Sequence, residues 1–515
     1  MRRLTVLLLA VSLVSPLALQ PRASAADNAR ALVRAAIAAM GGEERLRAVH
    51  AVALKAIGHR YMLEQSERPE GPWLIDYYQI SETRDLDRGR LRQERQSRGC
   101  GSTECWKSAE WDSSTIVVSG HAAASLNNGK FQPARASTLQ AAEESLALGP
   151  ERVLLLALAA PDLRIEAGVS LHGFAHHVVA FHWEGKLVRI FLSARTSMPT
   201  AMEVTRTRPY EFFWSPWGDV TSRVSYALWM LEPGGLRYPR EWACEFDGQP
   251  DWTLTINEVS FNPPVKNEDF AIPDDVSAAF AARVRPVEDL PLGNPSTPAK
   301  ELAPGIVQVP AAWNIIEVRQ ADGIVIIEAP ISNGYSARVI EDAQRRFPGL
   351  PVKAVVTTSD SWPHFGGLRE YSARNIPVYA LDLNRFILEK LFSAPHRLQP
   401  DALALQPHPP KITYVSARVS LGRGDNALEI VPLRALTGER QMAVYFPAQK
   451  LLYTSDLFQR DASGGFFLPQ TISEAVDMAR REKLDVHTCV GMHLGPTSWK
   501  DVEAAVAARI NQPPL

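Results

Sequence analysis

Tyr445-Phe-Pro-Ala-Gln-Lys-Leu-Leu-Tyr-Thr-Ser-Asp-Leu-Phe458 is the stretch on which the fold of this chain turns. Met442 to Phe446 and Leu451 to Thr454 are short apolar runs, and Pro447 to Lys450 between them is polar and turn-forming. The segment therefore reads as two strands joined by a tight turn, with Asp456 directly behind the second. An ionisable residue just past a buried strand has a rigid support and an open loop ahead, which is where sites lie in α/β proteins. Two other stretches share this design. Val355-Val-Thr-Thr-Ser-Asp-Ser-Trp-Pro-His-Phe-Gly-Gly367 closes the buried run from Val352 to Thr357 and carries Asp360 and His364. Asp485-Val-His-Thr-Cys-Val-Gly-Met-His-Leu-Gly-Pro496 carries His487, Cys489 and His493.

Outward from these segments, apolar strands alternate with amphipathic helices. Strands are expected at 306–309, 315–319, 324–329 (with Glu328 near its end), 378–380, 412–415 and 428–433. Helices are expected at 334–346, 368–374, 472–482 and 499–510. That alternation makes residues 306–515 an α/β domain.

In order and spacing these three segments resemble the metallo-β-lactamase fold superfamily, over about two fifths of the chain. The resemblance implies a four-layer αββα sandwich. It implies that Asp456 is the metal-bridging, catalytic carboxylate, and that His364 and His493 are metal ligands. The departures are as informative. The family's first motif, H-x-H-x-D-H, is here Ser359-Asp-Ser-Trp-Pro-His364, so two histidines are serines and the motif carboxylate is Pro363. The next metal histidine would fall near Arg434 to Glu439, which holds none. His364, Asp456 and His493 still form two imidazoles and a carboxylate, chemically enough for one zinc or other divalent ion. Asp360, His487 and Cys489 are further candidate ligands. Ser359 and Ser361 have no base identifiable in sequence to activate them.

Residues 26–284 read differently. A helix at 29–40 ends at Gly41-Gly42 and is followed by alternating strands between 51 and 119. Two helices follow near 137–148 and 151–158, and then strands from 178 to 261, separated by turns such as Glu184-Gly185 and Pro233-Gly-Gly235. This is a mostly antiparallel sheet with a few helices. Its paired strands, Met198-Pro-Thr-Ala-Met-Glu-Val204 and Phe270-Ala-Ile-Pro273 resemble the curved-sheet domains of lipoprotein carriers, which implies binding of an apolar ligand or an accessory role. Four histidines, His172, His176, His177 and His182, fall close together, but strand alternation sends them to both faces. They are expected to be ordinary strand residues.

Between the two regions lies Arg285 to Gly305, RPVEDLPLGNPSTPAKELAPG, a Pro-rich linker or a wrapping loop. The two-domain plan is thus 26–284, a linker at 285–305, and 306–515.

Residues 1–25 have a charged start at Arg2 and Arg3, an apolar run from Leu4 to Leu19, and Ala23-Ser-Ala25 as a cleavage signal. They read as a secretory leader; the competing reading is a membrane anchor. The leader holds three arginines and no acid, so its removal takes the net charge from −2 to −5. No later run is long enough to span a membrane, so the expectation is a periplasmic or secreted protein with no membrane span after cleavage. In an oxidising compartment Cys100 and Cys105 could close a short disulfide loop, while Cys244 and Cys489 should be free and buried.

The 515 residues, 46% hydrophobic and 22% charged, have the composition of an ordinary globular protein. The near-neutral charge argues against nucleic acid as a partner, and four cysteines exclude a disulfide-built scaffold. Two functions follow. One is an exported mononuclear metal hydrolase of an ester, thioester or amide. The other is a catalytically inactive binding or scaffold protein that has lost the two-zinc site and holds a small-molecule or apolar ligand.

Overall fold

The computed structural model describes residues 25–63, 70–98, 111–293, 296–311, 313–460, 464–466 and 469–511. Residues 1–24, Cys100 and Cys105 lie outside these, and with them the leader and the disulfide loop.

The protein is mostly β, with one large antiparallel sheet, two further sheets and flanking helices. In the thirteen-stranded sheet Ala51–Met62 pairs with Leu74–Asp85 on one side and Gln249–Phe261 on the other. From this seam the strands run in chain order to Lys130–Pro133 at one edge. At the other side they run in reverse order back to Arg164–Leu171. Among the described residues every pairing is between chain neighbours except at the seam, so the sheet is a meander whose first and last strands meet. One core joins Val52, Leu54, Phe181, Val188, Ile190, Val204, Tyr238 and Ile256 on the strands to the apolar stripe of helix Ala25–Met40, namely Ala29, Val33, Ala36, Ile37 and Met40. Helices Ala136–Leu148 and Val153–Ala159 pack into the same core.

The second region has a seven-stranded and a six-stranded sheet. In the former, Gly323–Ile327, Val352–Val356, Val378–Leu381 and Ile412–Val415 run parallel and the strands before them antiparallel. In strand Gly323–Ile327 the two faces are both buried, as a sandwiched sheet requires. Val325 and Ile327 face the second sheet, meeting Ile430, Val444, Phe446 and Tyr453. Ile324 and Ile326 face helices Asn333–Arg346, Leu368–Ala373 and Arg385–Ser393. The second sheet turns Val431, Ala443, Leu452 and Cys489 toward helices Pro469–Arg481 and Trp499–Ile510. The layers are therefore helix, sheet, sheet, helix.

The Pro-rich stretch is packed down. Val287 is buried, its N–H donates to Pro209 O at 2.7 Å, and its carbonyl accepts from Ser332 Oγ at 3.3 Å. Residues on both sides of the stretch share one core, in which Trp214, Trp217 and Phe246 meet Trp362 and Phe365. The Trp362 ring lies 4.7 Å from that of Trp214 and 4.9 Å from that of Trp217, both edge-on.

Candidate functional site

The site forms where the strand ends 327, 356 and 453 meet. Glu328 follows Gly323–Ile327 in the left-handed region, at φ 80°, and is fully buried. The turn it opens is tied to the His364 segment by the backbone. Ala329 N–H donates to His364 O (3.1 Å), Ile331 N–H to Pro363 O (2.7 Å), and Gly367 N–H to Ala329 O (2.9 Å). Gly366 and Gly367 are required by this approach. A Cβ on Gly366 would lie 2.5 Å from Ile331 O, and one on Gly367 1.9 Å from Ser336 Oγ and 2.6 Å from Ser332 O. Across the sandwich Ser455 turns the chain at φ 56° and presents Asp456. Met492 N–H donates to Ser455 O at 2.7 Å, which sets His493 in the following turn.

His364 is buried, and both of its ring nitrogens face carboxylates. Nε2 lies 3.2 Å from Asp456 Oδ2 and Nδ1 lies 3.7 Å from Glu328 Oε2. Burial pulls the imidazole pKa down, but Asp456 and Glu328 outweigh it and hold the pKa at about 10. For Asp456 burial acts upward, and His364 and His493 bring the carboxyl below its usual range. Glu328 accepts from Thr358 Oγ1, and from Tyr453 OH at 3.1 Å. Thr358 Oγ1 in turn lies 2.7 Å from Ser455 Oγ. Asp360 stands beside this set, its Oδ2 3.9 Å from Arg440 Nε. Burial pushes the Asp360 carboxyl up to about 7, against the pull of Arg440. Arg440 reaches in the other direction to Glu70 of the first region, Nη2 to Oε1 at 2.6 Å.

The structure thus brings His364 and Asp456 into direct contact. It leaves His493 exposed, with its ring 6.4 Å from that of Trp313 and its charge felt by Asp456. His487 is at the surface, 3.4 Å from Asp485. Cys489 and Cys244 are free and buried, and burial raises both thiols. His176 bonds Phe174 O (2.8 Å) and His182 bonds Asp162 (2.6 Å).

The donor set can be tested against a metal ion. A ring nitrogen ligates only through a free lone pair; His364 turns Nε2 to Asp456 Oδ2 at 3.2 Å, while Nδ1, 3.7 Å from Glu328, has no hydrogen-bond partner among the described residues. Among the described residues no group of three or more His, Cys, Asp and Glu is set to hold an ion. As arranged, His364, Asp456 and His493 do not fit a divalent metal. The arrangement is a charge cluster, with the acids Glu328, Asp360 and Asp456 around the cations His364 and Arg440.

Glu328 and Arg440 are the members that the sequence did not single out as site residues. Glu328 shows only as one acid in an apolar strand. Arg440 directly follows the Arg434 to Glu439 stretch, which stands out in sequence for the histidine it lacks.

No family model and no curated protein sequence matches the chain. Among solved structures it is similar to metallo-β-lactamases. TMB-1 is 14% identical at a TM-score of 0.32, over 42% of this chain and 98% of its own. DIM-1 is 14% identical at 0.33, over 42% and 97%. The metallo-β-lactamase of Pontibacter korlensis is 14% identical at 0.32, over 42% and 99%.

Proposed function

We propose that this chain is an exported ligand-binding protein with a metallo-β-lactamase-like αββα region, in which a metal-independent charge cluster stands where a catalytic metal centre would be. The supporting observation is His364, clamped between Asp456 and Glu328. An imidazole so placed supplies positive charge to the acids around it and has no lone pair to spare for a metal. The leader-like start supports export, and no helix among the described residues is long and apolar enough to cross a membrane. The large sheet, by its resemblance to lipoprotein carriers, supports an apolar or small-molecule ligand. In this reading residues 26–284 and 306–515 are two domains joined by 285–305.

The test is thermal melting of the tag-free protein with chelator and with added zinc, alongside a panel of ester, thioester and amide substrates. The expected result is one melting temperature under both conditions and no hydrolysis above buffer. Metal-dependent stabilisation together with turnover would overturn the reading.

A second reading, a mononuclear metal hydrolase using Asp456, is favoured by one observation. Asp456 Oδ1, Asp360 Oδ2 and His364 Nδ1 are buried without a hydrogen-bond partner among the described residues, and buried polar atoms are normally satisfied. Under that reading zinc would bind stoichiometrically, and Asp456→Asn would abolish both binding and turnover.

A further inference from the structure

A cavity of about 500 Å³ opens where the two regions meet, and it shares no lining residue with the His364 cluster. Its volume is ordinary for a ligand pocket. Ala136, Leu139, Gln140 and Glu143 line one wall, at the spacing that puts them on one face of helix Ala136–Leu148. The Glu184–Lys186 turn and the 206–210 segment form the rest, and Val284 and Leu398 add apolar surface at the seam. Leu398 is anchored to the first region, its N–H donating to the Asp219 carboxylate at 3.0 Å.

Two charged side chains on the wall are open, one of each sign. The Arg206 side chain is 9% exposed and makes one hydrogen bond among the described residues, from Nη1 to Glu144 Oε2 at 3.2 Å. That carboxylate is shared, since it also takes Arg208 Nη2 at 3.5 Å and Ser222 Oγ at 3.1 Å. Arg206 Nε is buried without a partner, whereas Nη2, also unpartnered, keeps accessible surface. Burial, with Arg208 nearby, lowers the Arg206 pKa in spite of Glu144, so its charge is only partly compensated. Helix Ala136–Leu148 also starts on this wall, with no side-chain cap and no acid in its first turn, and its positive end favours an anion there. Glu143 is exposed and makes no hydrogen bond or ion pair among the described residues. Its charge is felt by Arg206. The remaining lining charges are matched: Lys186 Nζ bonds Glu184 at 2.8 Å and lies 4.2 Å over the Trp183 ring.

We infer that this cavity binds a small zwitterion, an α-amino acid with an apolar side chain. Arg206 Nη2 donates to its carboxylate, Glu143 accepts from its ammonium, and its side chain lies against Leu139, Pro209, Tyr210, Val284 and Leu398. A simple anion would meet the unpaired Glu143, and a simple cation the under-compensated Arg206, so each loses at one end what it gains at the other. An uncharged apolar ligand would cover Arg206 with nothing to accept its N–H. Amino-acid binding here rests on the ligand-binding reading of the chain and gives that reading its ligand.

The test is calorimetric titration of the tag-free protein with L-leucine, with 4-methylpentanoate, which lacks the ammonium, and with 3-methylbutylamine, which lacks the carboxylate. Saturable leucine binding is expected, about tenfold or more tighter than either analogue. Glu143→Gln should weaken leucine about tenfold, the loss of one charge-assisted hydrogen bond, and should bring 4-methylpentanoate level with it. Arg206→Gln should weaken leucine to a similar extent. If Arg206→Gln fails to fold, Glu143→Gln, a change at an exposed residue, decides. The proposal is overturned by absence of leucine binding to the folded protein, by either analogue binding the wild type as tightly as leucine, or by leucine affinity unchanged in Glu143→Gln. Metal-dependent turnover, which would overturn the ligand-binding reading itself, is a different signal from a flat leucine titration.

Discussion

Replacing His364 by Gln leaves the buried Glu328 and the partly buried Asp456 without their common cation. Breaking a buried ion pair from one side costs about 3–5 kcal/mol, so denaturant unfolding of His364→Gln should show a loss of that order with no metal in the buffer. An unchanged midpoint would mean that the carboxylates are neutral or solvated. Glu317 makes a separate prediction. It is fully buried on strand Ile315–Gln320, and burial and Asp342 push its carboxyl up to about 8 against Arg346, whose Nε is 2.9 Å away. A carboxyl whose folded pKa lies above its unfolded value contributes stability that is present below about pH 4.5 and lost as pH rises through 8. Glu317→Gln should therefore flatten the decline in stability between pH 5 and 9 relative to wild type, read by urea midpoints. His364 and Asp456 were legible in the sequence because each follows an apolar run at a strand end. Arg440 and Glu328 were not, since what gives them a role is proximity to groups far away in the chain, and no local pattern encodes that.

The Gly366-Gly367 turn is the element that holds the site's loop in place. A methyl group on Gly367 meets the Ser332 carbonyl at 2.6 Å as well as the Ser336 hydroxyl, and backbone cannot move aside cheaply. Gly367→Ala should destabilise by about 2 kcal/mol or more. Adding Ser336→Ala should recover only part of this, because the carbonyl clash stays. Elements with strong periodicity are legible in the sequence: Ile306–Val309, Ile412–Val415, Met442–Phe446 and Trp499–Ile510 have the expected bounds. Others escaped it. Ala122–Asn127 is a strand of small residues with little β-propensity, and Thr488–Gly491 and Leu494–Ser498 are too short and polar to be told from a loop by local pattern. Helix Asp274–Arg283 has a weak apolar stripe, with only Val276 and Phe280 buried. In each case tertiary burial and ladder pairing decide the structure, and local preference does not.

Across the whole molecule, the Pro-rich stretch divides composition without dividing the core. Trp362, in the site's own loop, is buried among Trp214 and Trp217 of the first region. Trp362→Ala should cost about 3–5 kcal/mol. Because the core is shared, calorimetry should show the described regions unfolding in one transition in the wild type, and two resolved transitions would contradict it. A sequence pattern reports each region's own periodicity, so it could suggest two regions but not the aromatic interface that joins them. The histidines lost from the expected metal motif were visible from the start; what took over their charge was not. In the proposed reading His364 and Arg440 are the cations of a site that needs no metal. The most direct test is elemental analysis of the tag-free protein after incubation with zinc, manganese or iron and gel filtration. Less than about 0.1 metal per chain is expected, unchanged in His493→Ala. About one metal per chain, lost in His364→Ala and His493→Ala, would contradict it.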